Sequence, residues 1–279
     1  MRDKELEGLF SLEGKVVVIT GATGLLGMKH AEAVAAYGGT PIILDLNEEL
    51  AVKSANRLSK TYNIPAFGYK VDITDEDNIF KNKKNIMKKF GRIDALINNA
   101  ANNPKMEDKD GKNFSKVENF PLEVWNADIA VGLTGAYLCS KHYGSEIVNN
   151  VEGGNIINVS SDLGLIAPDQ RLYEIPDLPD EMQPVKPITY SVVKSGLIGL
   201  TRYFSTYWAD KNVRCNAICP GGVNNGQNPD FLQKVSSRIP LGRLANSNEY
   251  QGIIIFLLSD ASSYMTGSII QIDGGRTTW

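Results

Sequence analysis

The run Lys15-Val16-Val17-Val18-Ile19-Thr20 leads directly into Gly21-Ala22-Thr23-Gly24-Leu25-Leu26-Gly27 and then a helical apolar pattern to about Tyr37. No other stretch restricts the fold as much. A short apolar β-branched run reads as a buried strand, and a period near 3.6 reads as a helix. Between them, Gly21 permits a tight turn, Gly24 lets the backbone approach a pyrophosphate, and Gly27 lets the helix lie close to the strand. The helix start then presents free N–H groups and a positive dipole end, which suit phosphate.

The unit recurs along the chain. Strand-like runs fall at residues 40–44, 66–71, 94–97, 155–159, 213–218 and 268–272, and helical patterns at 48–62, from 75, 122–149, 190–208 and 247–258. Alternation at this spacing predicts an α/β fold, a doubly wound parallel seven-stranded sheet with helices on both faces. No repeat, low-complexity tract or linker interrupts it, so residues 1–279 read as one domain. Ligands bind such sheets beyond the carboxyl ends of the strands, where Gly21, Asp45, Asp72 and Asn98 all fall. Asp45 is placed to accept hydrogen bonds from a ribose diol and to repel a 2′-phosphate. No Arg or Lys at 22–24 or 46–47 offsets that charge, so NAD is expected over NADP. Asp72 can meet an adenine edge, and Thr74 is expected to cap the helix beginning at Asp75.

Composition excludes several classes. A net charge of −3 argues against nucleic acid or an anionic membrane as partner. The first ten residues hold no apolar run, so no secretory signal is expected. The longest apolar run, 253–258, is too short to span a bilayer. Three cysteines, Cys139, Cys215 and Cys219, suit a reducing cytoplasm. His30 and His142 have no acidic or cysteine cluster beside them, so no metal is expected.

Tyr190-Ser191-Val192-Val193-Lys194 lies within a helical segment, so Tyr190 and Lys194 share a face. A cation about 4 Å from a phenol, at an effective dielectric near 20, is worth roughly 4 kcal/mol, or about three pK units. The expectation is a phenol brought near neutrality for acid–base work. Three polar segments, 102–117, 162–187 and 224–246, are expected to wall a substrate pocket. They carry Lys105, Arg171, Lys186, Arg238 and Arg243. The five prolines of 162–187 forbid a regular helix, and the segment reads as a substrate-covering flap.

Taken together, TGATGLLG (20–27), Asp72, NNAA (98–101), Ser160-Ser161, YSVVK (190–194), PGG (220–222) and TGSIIQIDGG (266–275) resemble the short-chain dehydrogenase/reductases over nearly the whole chain. The resemblance implies a Rossmann-type fold and hydride exchange between a nicotinamide and a carbinol or carbonyl carbon. It implies that Tyr190 moves the hydroxyl proton, that Lys194 lowers its pKa and holds the nicotinamide ribose, and that Ser161 bonds the substrate oxygen, with Ser160 structural. For the cofactor it implies Gly21, Thr23, Gly24, Leu25, Leu26, Asp45, Leu46, Asp72, Ile73, Asn99, Ala100, Ala101, Tyr190, Lys194, Pro220, Gly221, Val223 and Asn225. It also implies a homotetramer or homodimer built on the 122–149 helix and the catalytic helix.

The chain departs from that pattern at four places. Its glycine turn has the Gly-x-x-Gly-x-x-Gly spacing of the family's extended branch, with Leu25 where compact members carry glycine. Gly132 stands where compact members have an asparagine that supports a water relay to the lysine. The interval from Ser161 to Tyr190 is long. Asn225 replaces a common threonine. The expected function is an NAD-dependent oxidoreductase of a secondary alcohol or ketone on a polar, sugar-like or sugar-acid substrate, with Arg171, Lys186 and Arg238 as substrate contacts. The glycine spacing leaves a nucleotide-sugar epimerase or dehydratase with retained NAD as an alternative. The missing asparagine leaves a non-catalytic dinucleotide-binding protein as another.

Overall fold

A computed structural model describes residues 8–102 and 113–279. Lys105 lies outside the described residues. Seven parallel strands form one sheet in the order β3-β2-β1-β4-β5-β6-β7. They are β1 (Val16–Thr20), β2 (Thr40–Asp45), β3 (Phe67–Lys70), β4 (Ala95–Asn98), β5 (Gly154–Val159), β6 (Val213–Pro220) and β7 (Ile269–Ile272). The helices are α1 (Leu25–Ala36), α2 (Glu48–Tyr62), α3 (Glu76–Phe90), α4 (Leu122–Ile129), α5 (Gly135–Ile147), α6 (Ile188–Tyr207), α7 (Pro229–Ser236) and α8 (Gln251–Leu258).

Period-two alternation builds both faces. Val17, Ile19 and Ile43 enter one buried cluster with Ala31, Val34 and Ile254. Val16, Val18, Ile42 and Leu44 enter the other with Ile79, Ile86 and Tyr143. A strand buried on both faces must be apolar throughout, as β1 is. Between β1 and β4 the strand order reverses direction, which opens the crevice where such sheets bind ligands. A buried polar ladder runs beside it: Asn98 Nδ2 donates to Asn158 Oδ1 at 2.8 Å, and Asn158 Nδ2 donates to Thr201 Oγ1 at 2.8 Å.

Two local readings are corrected. Thr74 does not cap α3. Asp75 is the cap, accepting from the Asn78 amide at 3.1 Å, while the Thr74 hydroxyl donates to Asp72 Oδ1 at 2.7 Å. The 122–149 helix is not a uniform α-helix, because a π-helical turn, Ala130–Thr134, separates α4 from α5. Gly132 sits in that turn.

The 162–187 segment contains only short 3₁₀ turns. It is tied at several points. Gln183 Nε2 donates to the carbonyls of Ile175 and Leu178, each at 2.8 Å. The Val185 amide donates to Ser115 Oγ at 2.9 Å, and Lys116 pairs with Asp180 at 2.7 Å. No described helix is long and apolar enough to cross a membrane.

Candidate active site

The glycine turn packs under close constraint. Gly21 has φ +59°, and a Cβ there would stand 2.8 Å from Ala100 Cα. A Cβ at Gly27 would meet the Ala22 backbone at 2.7 Å and Asn99 Nδ2 at 2.8 Å. Glycine at both places lets β1, α1 and the segment after β4 converge. Asn99 Nδ2 reinforces the junction by donating to the carbonyls of Thr20 and Gly21. No side chain caps α1 at Gly24, so its first amides stay available to an anion.

Asp45 is held at the rim. Its Oδ2 accepts from the Thr23 hydroxyl at 2.6 Å and the Thr23 amide at 3.2 Å, and its Oδ1 accepts from the Asn47 amide at 3.2 Å. Asp72 Oδ1 is used by Thr74. A cleft of about 730 Å³ runs past these groups, and every residue named above for the cofactor lines it, from Gly21 to Asn225. That volume lies in the range of cofactor sites. The open helix start, the fixed carboxylate and the close backbone at Gly21 fit a dinucleotide.

Tyr190 and Lys194 share this cleft. Ser161, at the mouth of β5, lies close enough to the Tyr190 phenol to favour its ionised form. The Ser161 hydroxyl bonds Asp162 Oδ1 at 2.7 Å. Ser160 points elsewhere, its hydroxyl donating to the Lys194 carbonyl at 2.7 Å.

The electrostatics differ from the expectation. Burial pushes the Tyr190 phenol above its ordinary pKa; Ser161 opposes this without reversing it. The amine is turned away. Lys194 Nζ donates to the Val159 carbonyl at 2.8 Å and lies 5.8 Å from the centroid of the Tyr190 ring. Burial lowers Lys194 itself to about 8. One helical turn of spacing brings the pair together, but it does not settle where the ammonium points.

The substrate cations divide. Arg171 and Arg238 are committed to Asp169, at 2.8 and 2.6 Å, and their charge holds that carboxyl well below the usual range. Arg171 is largely exposed. Neither borders the cleft or the narrow hollow beside Tyr190. Arg243 pairs with Glu249. Lys186 does reach the centre, 3.8 Å from the Tyr190 ring centroid.

One group was missed. Arg276 Nη1 pairs with Asp162 Oδ2 at 2.9 Å; the carboxylate is buried and the guanidinium largely so. Residues 273–279 thereby reach the neighbour of Ser161. The turn carrying Arg276 is fastened by Asp273, which accepts from the Gly275 and Thr277 amides. An acid immediately after the Ser160-Ser161 pair was the available signal.

Gly132 also has a partner. A Cβ at that position would stand 2.5 Å from Val193 Cγ1, so the valine occupies space that a larger residue would need.

Comparison with known proteins gives a family model described as short chain dehydrogenase over residues 15–173, and a second, described as Enoyl-(Acyl carrier protein) reductase, over 180–277. The chain is 34% identical over 279 residues to an NADP-dependent mannitol dehydrogenase of Alternaria alternata, covering 97% of this chain and 95% of that one. Among solved structures it is similar to an NAD+-bound xylitol dehydrogenase, with TM-score 0.80, 26% identity and coverage of 95% and 99%. It shares the fold of a gluconate 5-dehydrogenase from Burkholderia cenocepacia J2315 in complex with NADP and tartrate, with TM-score 0.84, 24% identity and coverage of 97% and 98%.

Proposed function

The chain belongs to the short-chain dehydrogenase/reductase family, and on that premise we propose that it is an NAD-dependent oxidoreductase of a secondary alcohol or ketone in a polar, sugar-like or sugar-acid substrate. The observation that carries this reading is the meeting of the Tyr190 phenol, the Ser161 hydroxyl and the Lys194 ammonium beside a cleft that fits a dinucleotide. When bound, the nicotinamide supplies or accepts the hydride.

The chain's own residues handle the oxygen and its proton. Burial favours the protonated phenol, which donates to a carbonyl oxygen in reduction and is left as phenolate; in oxidation it is the phenolate that takes the hydroxyl proton. Ser161, anchored to Asp162, fixes the direction from which that oxygen approaches. Lys194, held by the Val159 carbonyl, supplies donors beside Tyr190 for a ribose hydroxyl. Tyr190→Phe keeps the ring and removes the proton. It is expected to lower kcat by about 10²- to 10⁴-fold while leaving NADH binding intact, read by nicotinamide fluorescence and absorbance. Turnover near the wild-type rate ends this assignment.

Asp45 supports NAD. Its carboxylate is pinned at the ribose end, and among the described residues no cation pairs with it. The mannitol dehydrogenase relative is NADP-dependent by name, so the competing reading has its own support. NADH is expected to bind more tightly than NADPH, and equal or reversed affinity in the same titration refutes the role given to Asp45. An oligomer through α4, α5 and α6 is supported by exposed Leu122, Tyr137, Val192, Tyr203 and Tyr207 along those helices.

A further inference from the structure

The cations described above differ in whether an anion answers them. Arg276 is neutralised by Asp162, Lys116 by Asp180, and Arg171 and Arg238 by Asp169. Lys194 at least has the Val159 carbonyl. Lys186 Nζ has neither a carboxylate nor a carbonyl within bonding distance among the described residues; the Tyr190 ring is its neighbour, at 3.8 Å.

The placement of Lys186 is fixed by the chain around it. Its amide donates to Gln170 Oε1 at 2.8 Å, and Pro187 follows as the cap of α6. The residue borders two hollows. One is a narrow cleft of about 90 Å³ that also touches Asn102, Tyr190, Lys194 and Asp128, whose carboxylate is taken up by Asn102 and Thr189. The other is an open groove of about 420 Å³ walled in part by Lys116, Glu118, Gln170 and Ile188. A ligand lying in the groove with its reacting carbon at Tyr190 must pass this ammonium.

A half-buried cation beside a second buried cation is unfavourable unless an anion completes the site. Burial disfavours charge on both lysines and Lys186 disfavours it further on Lys194; the anion acting on Lys186, Asp162, is already paired with Arg276, which opposes it. Resting on the dehydrogenase reading above, we infer that Lys186 is the receptor for a carboxylate on the substrate. The substrate class is then a polyhydroxy acid or its keto acid, not a neutral polyol. The anion offsets the excess positive charge at the reaction centre, and its attachment point fixes which hydroxyl faces Tyr190.

The test uses matched pairs, each an aldonate and the alditol of the same chain length and configuration, oxidised by the intact protein with NAD. A desolvated charge pair is worth about 10- to 100-fold. Wild-type kcat/KM is expected to favour the acid by about that factor, through KM. Lys186→Met is expected to bring the acid-to-alditol ratio close to one, and Lys186→Arg to keep most of it.

A wild-type ratio near one overturns the carboxylate receptor while leaving the dehydrogenase reading intact. Equal losses on acid and alditol in Lys186→Met also overturn it, because they make Lys186 a support for the Tyr190 ring. If neither series turns over although NADH binds, the sugar reading has failed, and calorimetric titration of the NADH complex with the same aldonates decides. Binding that is lost in Lys186→Met upholds the receptor; no binding to the wild type overturns it.

Discussion

At the scale of single residues, Gly132 and Val193 explain one another. The π-helical turn brings residue 132 against α6, where Val193 fills the space. Gly132→Asn therefore forces a β-branched neighbour to move. It is expected to cost about 1–3 kcal/mol, measured as a lower melting temperature, and Val193→Ala in the same chain is expected to recover most of the loss.

Lys194 gives a second expectation at this scale. Its folded pKa, about 8, lies below the ordinary 10.5. Below pH 8 the fold bears the full penalty of burying the charge. Between about pH 8 and 10.5 the folded form releases its proton before the unfolded form does, so stability rises with pH across that window. Lys194→Met is expected to be more stable than wild type at pH 7, by up to about 3 kcal/mol, with the difference shrinking by pH 10 in thermal melts.

At the scale of elements, what was legible in the sequence was whatever depends on local period. The seven strands and the helix that carries Tyr190 and Lys194 follow from alternation and spacing that neighbours in sequence control. The direction of the Lys194 ammonium was not legible, because the Val159 carbonyl that draws it comes from β5. The pairing of Arg171 and Arg238 was hidden for the same reason, since a count of cations in a loop does not show that Asp169 satisfies both. The flap reading for 162–187 meets a segment that the Ser115 and Lys116 contacts fasten to the body.

Helix α1 carries an expectation of its own. His30 is fully buried on it, neither ring nitrogen is hydrogen-bonded among the described residues, and burial lowers it to about 4. Between pH 6.5 and 4 the unfolded chain takes up the proton first, so stability falls as pH drops through that range. His30→Leu is expected to flatten this acid limb in melts taken from pH 7 to 4. An unchanged limb would assign it to other groups.

At the scale of the whole molecule, the sheet brings together residues distant in the chain, and the Asp162–Arg276 pair is the longest such link at the site. Its partners are 114 positions apart, so Asp162 was visible beside the serine pair but the residue that answers it was not. Breaking a buried pair leaves one charge without compensation. Arg276→Met is expected to destabilise by about 3–5 kcal/mol, read in denaturant unfolding. Because Asp162 also holds Ser161, kcat is expected to fall further than the change in NADH affinity explains. Asp162→Asn added to Arg276→Met is expected to regain stability without regaining full turnover.

This linkage changes how variation near residue 276 should be interpreted. Residues 273–279 form only turns, the sort of stretch where a library is allowed to drift. Because that stretch delivers a guanidinium to the neighbour of the serine, changes there should register as loss of turnover in a screen, among hits that would otherwise map to the nucleotide crevice.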